Sequence, residues 1–127
     1  MTTMTKTQVP NSKIQEFINT NTYRAVLIST GHLSEEDEAA FKKVGMLCPS
    51  STEILKNRCF KRDSGYLVKL MKAFDESDVS QEVSTFRDAG FSEQFCQIIT
   101  FCITADIQLI EFDCDGNDFE ELFELYE

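Results

Sequence analysis

Residues Phe91–Glu127, FSEQFCQIITFCITADIQLIEFDCDGNDFEELFELYE, carry the strongest structural signal in the chain. Ser92 is placed to cap a helix, and apolar side chains follow at the i, i+3, i+4, i+7 spacing of one helix face. These apolar residues are Phe95, Ile98, Ile99 and Cys102. The spacing predicts an amphipathic helix over residues 92–105.

The segment IQLIEF, residues 107–112, follows with apolar side chains at both alternating sets of positions. Such a short strand belongs inside a sheet that is covered at least partly on both faces. The segment then enters the carboxylate-dense DCDGND. The tail FEELFELYE, residues 119–127, has apolar residues at helical spacing, which predicts a short final helix docked on the body.

The residues before Phe91 predict the remaining elements. In chain order these are a helix over 13–19, a strand over 23–30, a helix from Ser34 to Gly45, a turn of helix over 53–56, a hairpin over 57–71 and a helix that starts at Asp78 or Ser80 and ends before Gly90. The unbroken apolar run of the first strand predicts a central position in the sheet. Residues 1–12, rich in Thr and without apolar periodicity, predict a mobile arm.

This order of elements predicts one small domain over residues 13–127, of the α+β (or α/β) class. A sheet of about four strands with helices packed on it would account for the pattern. The order of the strands is not determined by the sequence, and neither is the oligomeric state, for which a monomer and a homodimer both remain open.

Negative charge is concentrated in the C-terminal third. The formal net charge is -10, yet the chain from Asp88 onward has eleven carboxylates and no Lys or Arg, so residues 1–87 are nearly neutral. Such a field repels phosphate, which argues against direct nucleic-acid binding and favours a basic protein surface or a cation. The alternative, that the carboxylates only keep a small protein soluble, stays open.

The five cysteines are irregularly spaced and the chain has a single His, which argues against structural zinc. Without a secretory segment or an apolar run of membrane-spanning length, the sequence predicts a cytoplasmic protein with reduced thiols and no membrane association. No cofactor is expected.

One candidate site combines the loop after the first strand with the loop after the last. Ser29, Thr30 and His32 leave the first strand, and Asp113 and Asp115 leave the last. If the two strands are parallel, both loops lie at the same carboxyl edge. His32 could then act as a general base beside Asp113 and Asp115, which is the enzyme interpretation.

A metal interpretation rests on four oxygen ligands, Asp113, Asp115, Asn117 and Glu124, which occupy positions 1, 3, 5 and 12 of an EF-hand loop. Position 6, which favours Gly, is Asp118, and position 8 is Glu120. The preceding segment also predicts a strand rather than a helix. We therefore expect a turn and no bound metal, with calcium as the alternative.

A third interpretation is a recognition surface that binds a partner protein with a basic surface. The proposed binding residues are Asp113, Asp115, Asp118, Glu120, Glu121 and Glu124. Carboxylates spaced on a rigid fold can imitate the charge of a nucleic-acid backbone. The binding interpretation predicts that His32→Ala is tolerated and that charge reversal in the tail is not, whereas the enzyme interpretation predicts the opposite.

Three motifs resemble an uncharacterised family of small bacterial proteins carried by phages, plasmids and genomic islands. They are LISTGHL (residues 27–33), GYLV (residues 65–68) and FDCDG (residues 112–116), ahead of a tail that ends in Tyr126 and Glu127. The chain departs from the family pattern at Cys114, where a basic residue is usual, and at Leu122-Phe123, where a Leu-Pro is usual. The resemblance implies no activity, but it implies a role in mobile-element biology.

Overall fold

The computed structural model describes residues 9–44, 55 and 57–126. Its helices are α1 (Asn11–Asn21), α2 (Glu35–Val44), α3 (Glu76–Asp88) and α4 (Glu93–Thr104). Its strands are β1 (Ala25–Ser29), β2 (Cys59–Arg62), β3 (Gly65–Lys69) and β4 (Leu109–Asp113), and a 3-10 turn spans Thr30–His32. The α+β class and the four-stranded sheet are confirmed.

The strands form one mixed sheet in the order β1-β4-β3-β2. β1 and β4 run parallel, in a register that pairs Ala25 with Leu109 and Ser29 with Asp113, while β3 is antiparallel to both β4 and β2. β4 lies inside the sheet, as predicted. The predicted central position of the first strand is wrong, because β1 lies at an edge.

An apolar run does not distinguish an edge strand from a central one when only one face of the strand is covered. Ile28 is 3% exposed and faces the core, whereas its neighbour Leu27 is 41% exposed. In the register, Ile28 lies beside Phe112, which in turn lies beside Tyr66 of β3. The core is therefore on the face of the sheet that carries these three side chains.

Aromatic rings fix the helices on that face. Phe41 of α2 stacks on Tyr66 with ring centroids 4.0 Å apart, and Phe95 of α4 stacks on Phe112 at 5.7 Å. Phe86 of α3 lies 5.7 Å from Phe95. Large aromatic side chains bury much apolar surface and prefer offset or edge contacts, so these contacts define how three helices pack on the sheet.

A buried carboxylate joins the start of α2 to the start of α4. Asp37 is 0% exposed and accepts hydrogen bonds from the main-chain N–H of Ser92 at 2.7 Å and from the Ser92 hydroxyl at 2.9 Å. It also accepts from the N–H and the hydroxyl of Ser34, each at 3.0 Å. Since a buried charge is costly unless its oxygens are satisfied, these bonds explain why Asp37 is tolerated in the interior.

Several element boundaries differ from the predictions. α1 begins at Asn11 rather than residue 13, and all of its residues are exposed. α3 begins at Glu76, because Asp75 rather than a later residue accepts the capping hydrogen bond from the Asp78 N–H at 2.9 Å. Residues 1–8 of the predicted arm, and all but Leu55 of the predicted turn over 53–56, lie outside the described residues. None of the described helices has the length and apolarity needed to cross a membrane.

The prediction of a final helix is wrong for the described tail, residues 114–126, which forms turns instead. Its main-chain groups bond to the body of the domain: the N–H of Phe119, the carbonyl of Glu124 and the N–H of Tyr126 all have partners outside the tail. A helix over residues 119–127 would instead bond the N–H of Tyr126 to the carbonyl of Leu122. The predicted docking of the tail is confirmed, because Phe123 packs against the core.

Candidate functional site at the carboxyl edge of β1 and β4

The loops that leave β1 and β4 meet at one edge of the sheet, as expected for parallel neighbours. The main-chain N–H of Ser29 donates to the carbonyl of Asn117 at 3.0 Å. Gly116 lies so close to β1 that an added Cβ would be 2.7 Å from the carbonyl oxygen of Ile28. Only glycine permits this approach, so the FDCDG motif serves first to seat the loop against β1.

His32 is completely buried and connects the β1 loop to the tail. Its Nε2 accepts the main-chain N–H of Phe119 at 2.9 Å, and its Nδ1 lies 2.9 Å from the carbonyl of Glu124. One ring nitrogen therefore faces a donor and the other an acceptor. This pattern assigns the neutral imidazole with its proton on Nδ1, because only that tautomer satisfies both main-chain partners.

Gln94, in the first turn of α4, strengthens the same junction. Its Nε2 donates to the carbonyl of Glu124 at 2.8 Å and to that of His32 at 3.1 Å, while its Oε1 accepts the Glu124 N–H at 2.8 Å. The N–H of Tyr126 bonds to the carbonyl of Gly31. Gln94 is not among the site residues predicted from the sequence; its only signal there is an uncharged polar side chain on a largely apolar helix.

Of the two carboxylates in the enzyme interpretation, that of Asp113 bonds to loop and turn groups. Asp113 accepts the N–H of Asp115 at 2.8 Å and the hydroxyl of Ser64 at 2.7 Å. The pKa of Asp113 lies below its ordinary value. The largest cause is the hydrogen bond from the Asp115 N–H, followed by the hydrogen bond from Ser64 and the positive charge of Arg62.

His32 contacts the main chain rather than either carboxylate. A general base needs a nitrogen that is free to accept a proton, and the acceptor nitrogen of His32 is already bonded to Phe119. The hydroxyl of Ser29 accepts the N–H of Gly31 at 3.0 Å. Catalysis by His32, Asp113 and Asp115 stays a prediction, and it would require the tail to detach from His32.

The metal interpretation also stays a prediction. Ligand atoms of Asp113, Cys114 and Asp115 lie within 4.8 Å of one another. The loop is entered from a strand, as the sequence predicts, and turns rather than a helix follow it. This arrangement differs from the helix–loop–helix of an EF-hand, the motif from which the calcium ligands were assigned.

The predicted binding residues lie on the segment Asp113–Glu124, which we call the acidic segment. Asp113 is half-buried, and the other predicted carboxylates are exposed: Asp115, Asp118, Glu120, Glu121 and Glu124. Among the described residues, none of these five forms an ion pair, whereas Glu111 pairs with Arg62 at 3.1 Å and Glu93 with Arg87 at 2.8 Å. The acidic segment is thus held in place, and the negative charge of its five exposed carboxylates is not compensated by ion pairs within the described structure.

Comparison with known proteins identifies a family of unknown function. No curated protein and no solved structure matches the chain. The profile of the C-terminal domain of DUF5983, a family of unknown function, matches residues 25–125. The matched span runs from the start of β1 into the tail and leaves α1 outside. The chain therefore belongs to the DUF5983 family, in agreement with the expected membership of an uncharacterised family.

Proposed function

We propose that the protein binds a partner protein through the acidic segment and that the partner presents a basic surface. One observation carries this proposal: five exposed carboxylates without cationic partners in the described structure lie on a tail whose main chain is held by His32 and Gln94. A purely solubilising surface has no need of such anchoring.

Anchoring matters because it removes part of the cost of binding. A flexible acidic tail would lose conformational freedom when it meets a partner, whereas a segment already held by hydrogen bonds loses less. Uncompensated carboxylates also accelerate the encounter with a positively charged surface, in a way that salt weakens. Both effects favour a specific, salt-sensitive interaction.

The biological setting that we propose is mobile-element biology. The support for it is the resemblance of the Ser-Thr-x-His-Leu and Phe-Asp-x-Asp-Gly motifs to proteins carried by phages, plasmids and genomic islands. In that setting, an acidic surface would imitate a nucleic-acid backbone and occupy the basic groove of a nucleic-acid enzyme. Defence evasion is the role that this interaction would serve.

Charge reversal with a matched control tests the proposal. The test variant is Asp118→Lys, Glu120→Lys and Glu121→Lys; the control is Glu16→Lys, Asp63→Lys and Asp88→Lys, which makes the same change in net charge at exposed residues elsewhere. Each tagged protein captures partners from a host lysate at low salt. We expect the wild type and the control to recover the same basic protein and the test variant to lose it.

Equal recovery by the two triple variants would contradict the proposal, because net charge rather than the acidic segment would then control binding. Recovery of no basic protein by the wild type would also contradict it. Thermal unfolding of each variant shows whether lost binding reflects lost folding.

A further inference from the structure

An apolar cavity of about 130 Å³ lies beneath the acidic segment. Its walls come from β1, from α4 and from the tail, and all of its lining residues are apolar. The residues that line it include Ile28, Ile98, Phe101, Cys102, Phe119 and Leu122. An apolar cavity of this size has no polar partners for water, so it is suited to an apolar guest.

The cavity has an apolar rim that reaches the surface. Three of its lining side chains are exposed: Phe101 at 54%, Phe119 at 37% and Leu122 at 58%. Single exposed apolar residues are common, but three around one cavity form a patch. Asp118 and Glu121 directly flank Phe119 and Leu122 in the chain, so carboxylates border this patch.

We propose that the cavity receives one apolar side chain of the partner, of leucine size, from a segment in which lysines or arginines flank that residue. A cavity of about 150 Å³ lined by Leu, Ile and Phe holds benzene, so 130 Å³ suits a single aliphatic side chain. The uncompensated carboxylates select basic neighbours for it. This inference rests on the proposed function and adds the chemistry of the partner's central residue.

The arrangement follows the usual anatomy of a protein interface. A few buried anchor residues provide most of the binding energy, and charged groups at the rim provide steering and orientation. Here the cavity would accept the anchor and the acidic segment would form the rim. The two parts should therefore respond differently to salt.

Two synthetic peptides of equal charge test the anchor directly. Both carry four lysines, and they differ only at a central residue, Leu in one and Asn in the other. Fluorescence anisotropy with the full chain should show about tenfold tighter binding of the Leu peptide, as expected for burial of one leucine side chain. Raising the salt concentration should weaken the binding of both peptides and leave the ratio of their affinities unchanged. Equal affinities would overturn the inference.

Nuclear magnetic resonance locates the bound side chain. The methyl groups of Ile28 and Ile98 line the cavity. The Leu peptide should shift their signals, whereas the Asn peptide should leave them unchanged. Tighter binding of the Leu peptide without these shifts would overturn the inference, because the leucine would then be bound elsewhere.

Two variants act on the cavity itself. Cys102→Met places a larger flexible side chain in the empty volume, and Leu122→Ser removes part of the rim at an exposed position. Both should reduce the preference for Leu to less than about threefold. The control Phe74→Ser removes an aromatic residue that is 83% exposed and does not line the cavity, and it should leave the preference intact. An unchanged preference in Leu122→Ser, with folding verified by thermal unfolding, overturns the inference.

The result also separates this inference from the proposed function. Suppose that both peptides bind with equal affinity and that the variant Asp118→Lys, Glu120→Lys, Glu121→Lys binds both more weakly. The result would then exclude a leucine anchor in the cavity and still support the acidic segment as a binding surface. Binding of neither peptide overturns the anchor, and the lysate capture alone then decides the proposed function.

Discussion

The Nδ1 of His32 lies 2.9 Å from the main-chain carbonyl of Glu124, although the two residues are 92 positions apart in the chain. The other ring nitrogen accepts the N–H of Phe119 at 2.9 Å. The single histidine thus bonds two main-chain groups of the tail to the loop after β1. The position of the acidic segment depends on the loop after β1.

Replacing His32 with Ala should loosen the tail. Two hydrogen bonds and a fully buried ring are lost, so we expect destabilisation of about 2–4 kcal/mol. Amide hydrogen exchange at Phe119 should accelerate strongly, and urea unfolding gives the free energy. The sequence-based expectation that a binding protein tolerates this change therefore no longer follows: partner affinity should fall with tail order.

Glu124→Ala is the matched control for His32→Ala. It keeps the main-chain carbonyl that His32 contacts and removes only an exposed side chain, so its effect on stability should stay within about 0.5 kcal/mol. Unchanged exchange at Phe119 in His32→Ala would show that other contacts hold the tail.

Gly116→Ala should also displace the acidic segment. The new Cβ would lie 2.7 Å from the carbonyl carbon and oxygen of Ile28 and 2.8 Å from the nitrogen of Ser29, all main-chain atoms that cannot rotate away. We expect a loss of about 1–3 kcal/mol in unfolding free energy. The exposed neighbour gives the control, because Asn117→Ala keeps the carbonyl that accepts the Ser29 N–H and should be nearly neutral. Equal stability of the two variants would contradict this packing.

Local sequence patterns correctly predicted the elements whose formation depends on residues close together in the chain. The periodicity and Ser92 cap of α4 and the turn between β2 and β3 all predicted elements that the structure contains. The apolar spacing of the tail also matched a helix, but tertiary hydrogen bonds with His32 and Gln94 override that preference. No local signal could reveal partners that lie 30 and 92 positions away in the chain.

The candidate site was predicted in its location but not in its arrangement. The parallel pairing of β1 with β4 brings together the two loops that the sequence singled out. The hydrogen-bond partners of His32 depend on where the tail crosses the loop after β1. The path of the tail is set by the packing of Phe123 against the core and by the close approach of Gly116 to β1. Neither contact is encoded in residue spacing.

The described cysteines should differ sharply in reactivity. Burial raises the pKa of Cys59 to about 12 and that of Cys96 and Cys102 to about 11, so few thiolates form at neutral pH. Cys114 is exposed beside Asp113. In a Cys48→Ser background, which removes the cysteine outside the described residues, a thiol reagent at about pH 8 should modify one thiol rapidly.

The additional change Cys114→Ser should abolish that rapid phase, and urea should restore reactivity of the three buried thiols. Rapid modification of Cys102 in the folded protein would show that the cavity beneath the acidic segment opens frequently, since Cys102 lines it.

Asp113 should make stability depend on pH in the acid range. Its hydrogen bonds from Asp115 and Ser64 and the nearby Arg62 hold its folded-state pKa below the ordinary value of 3.8. A depressed carboxyl pKa contributes stability above the unfolded-state pKa, and this contribution disappears as the pH falls through the folded-state value. The difference in unfolding free energy between wild type and Asp113→Asn should therefore be largest near neutral pH and shrink below about pH 3.8. Titration of the Asp113 carboxyl by nuclear magnetic resonance checks the cause, and a midpoint at or above 3.8 would contradict it.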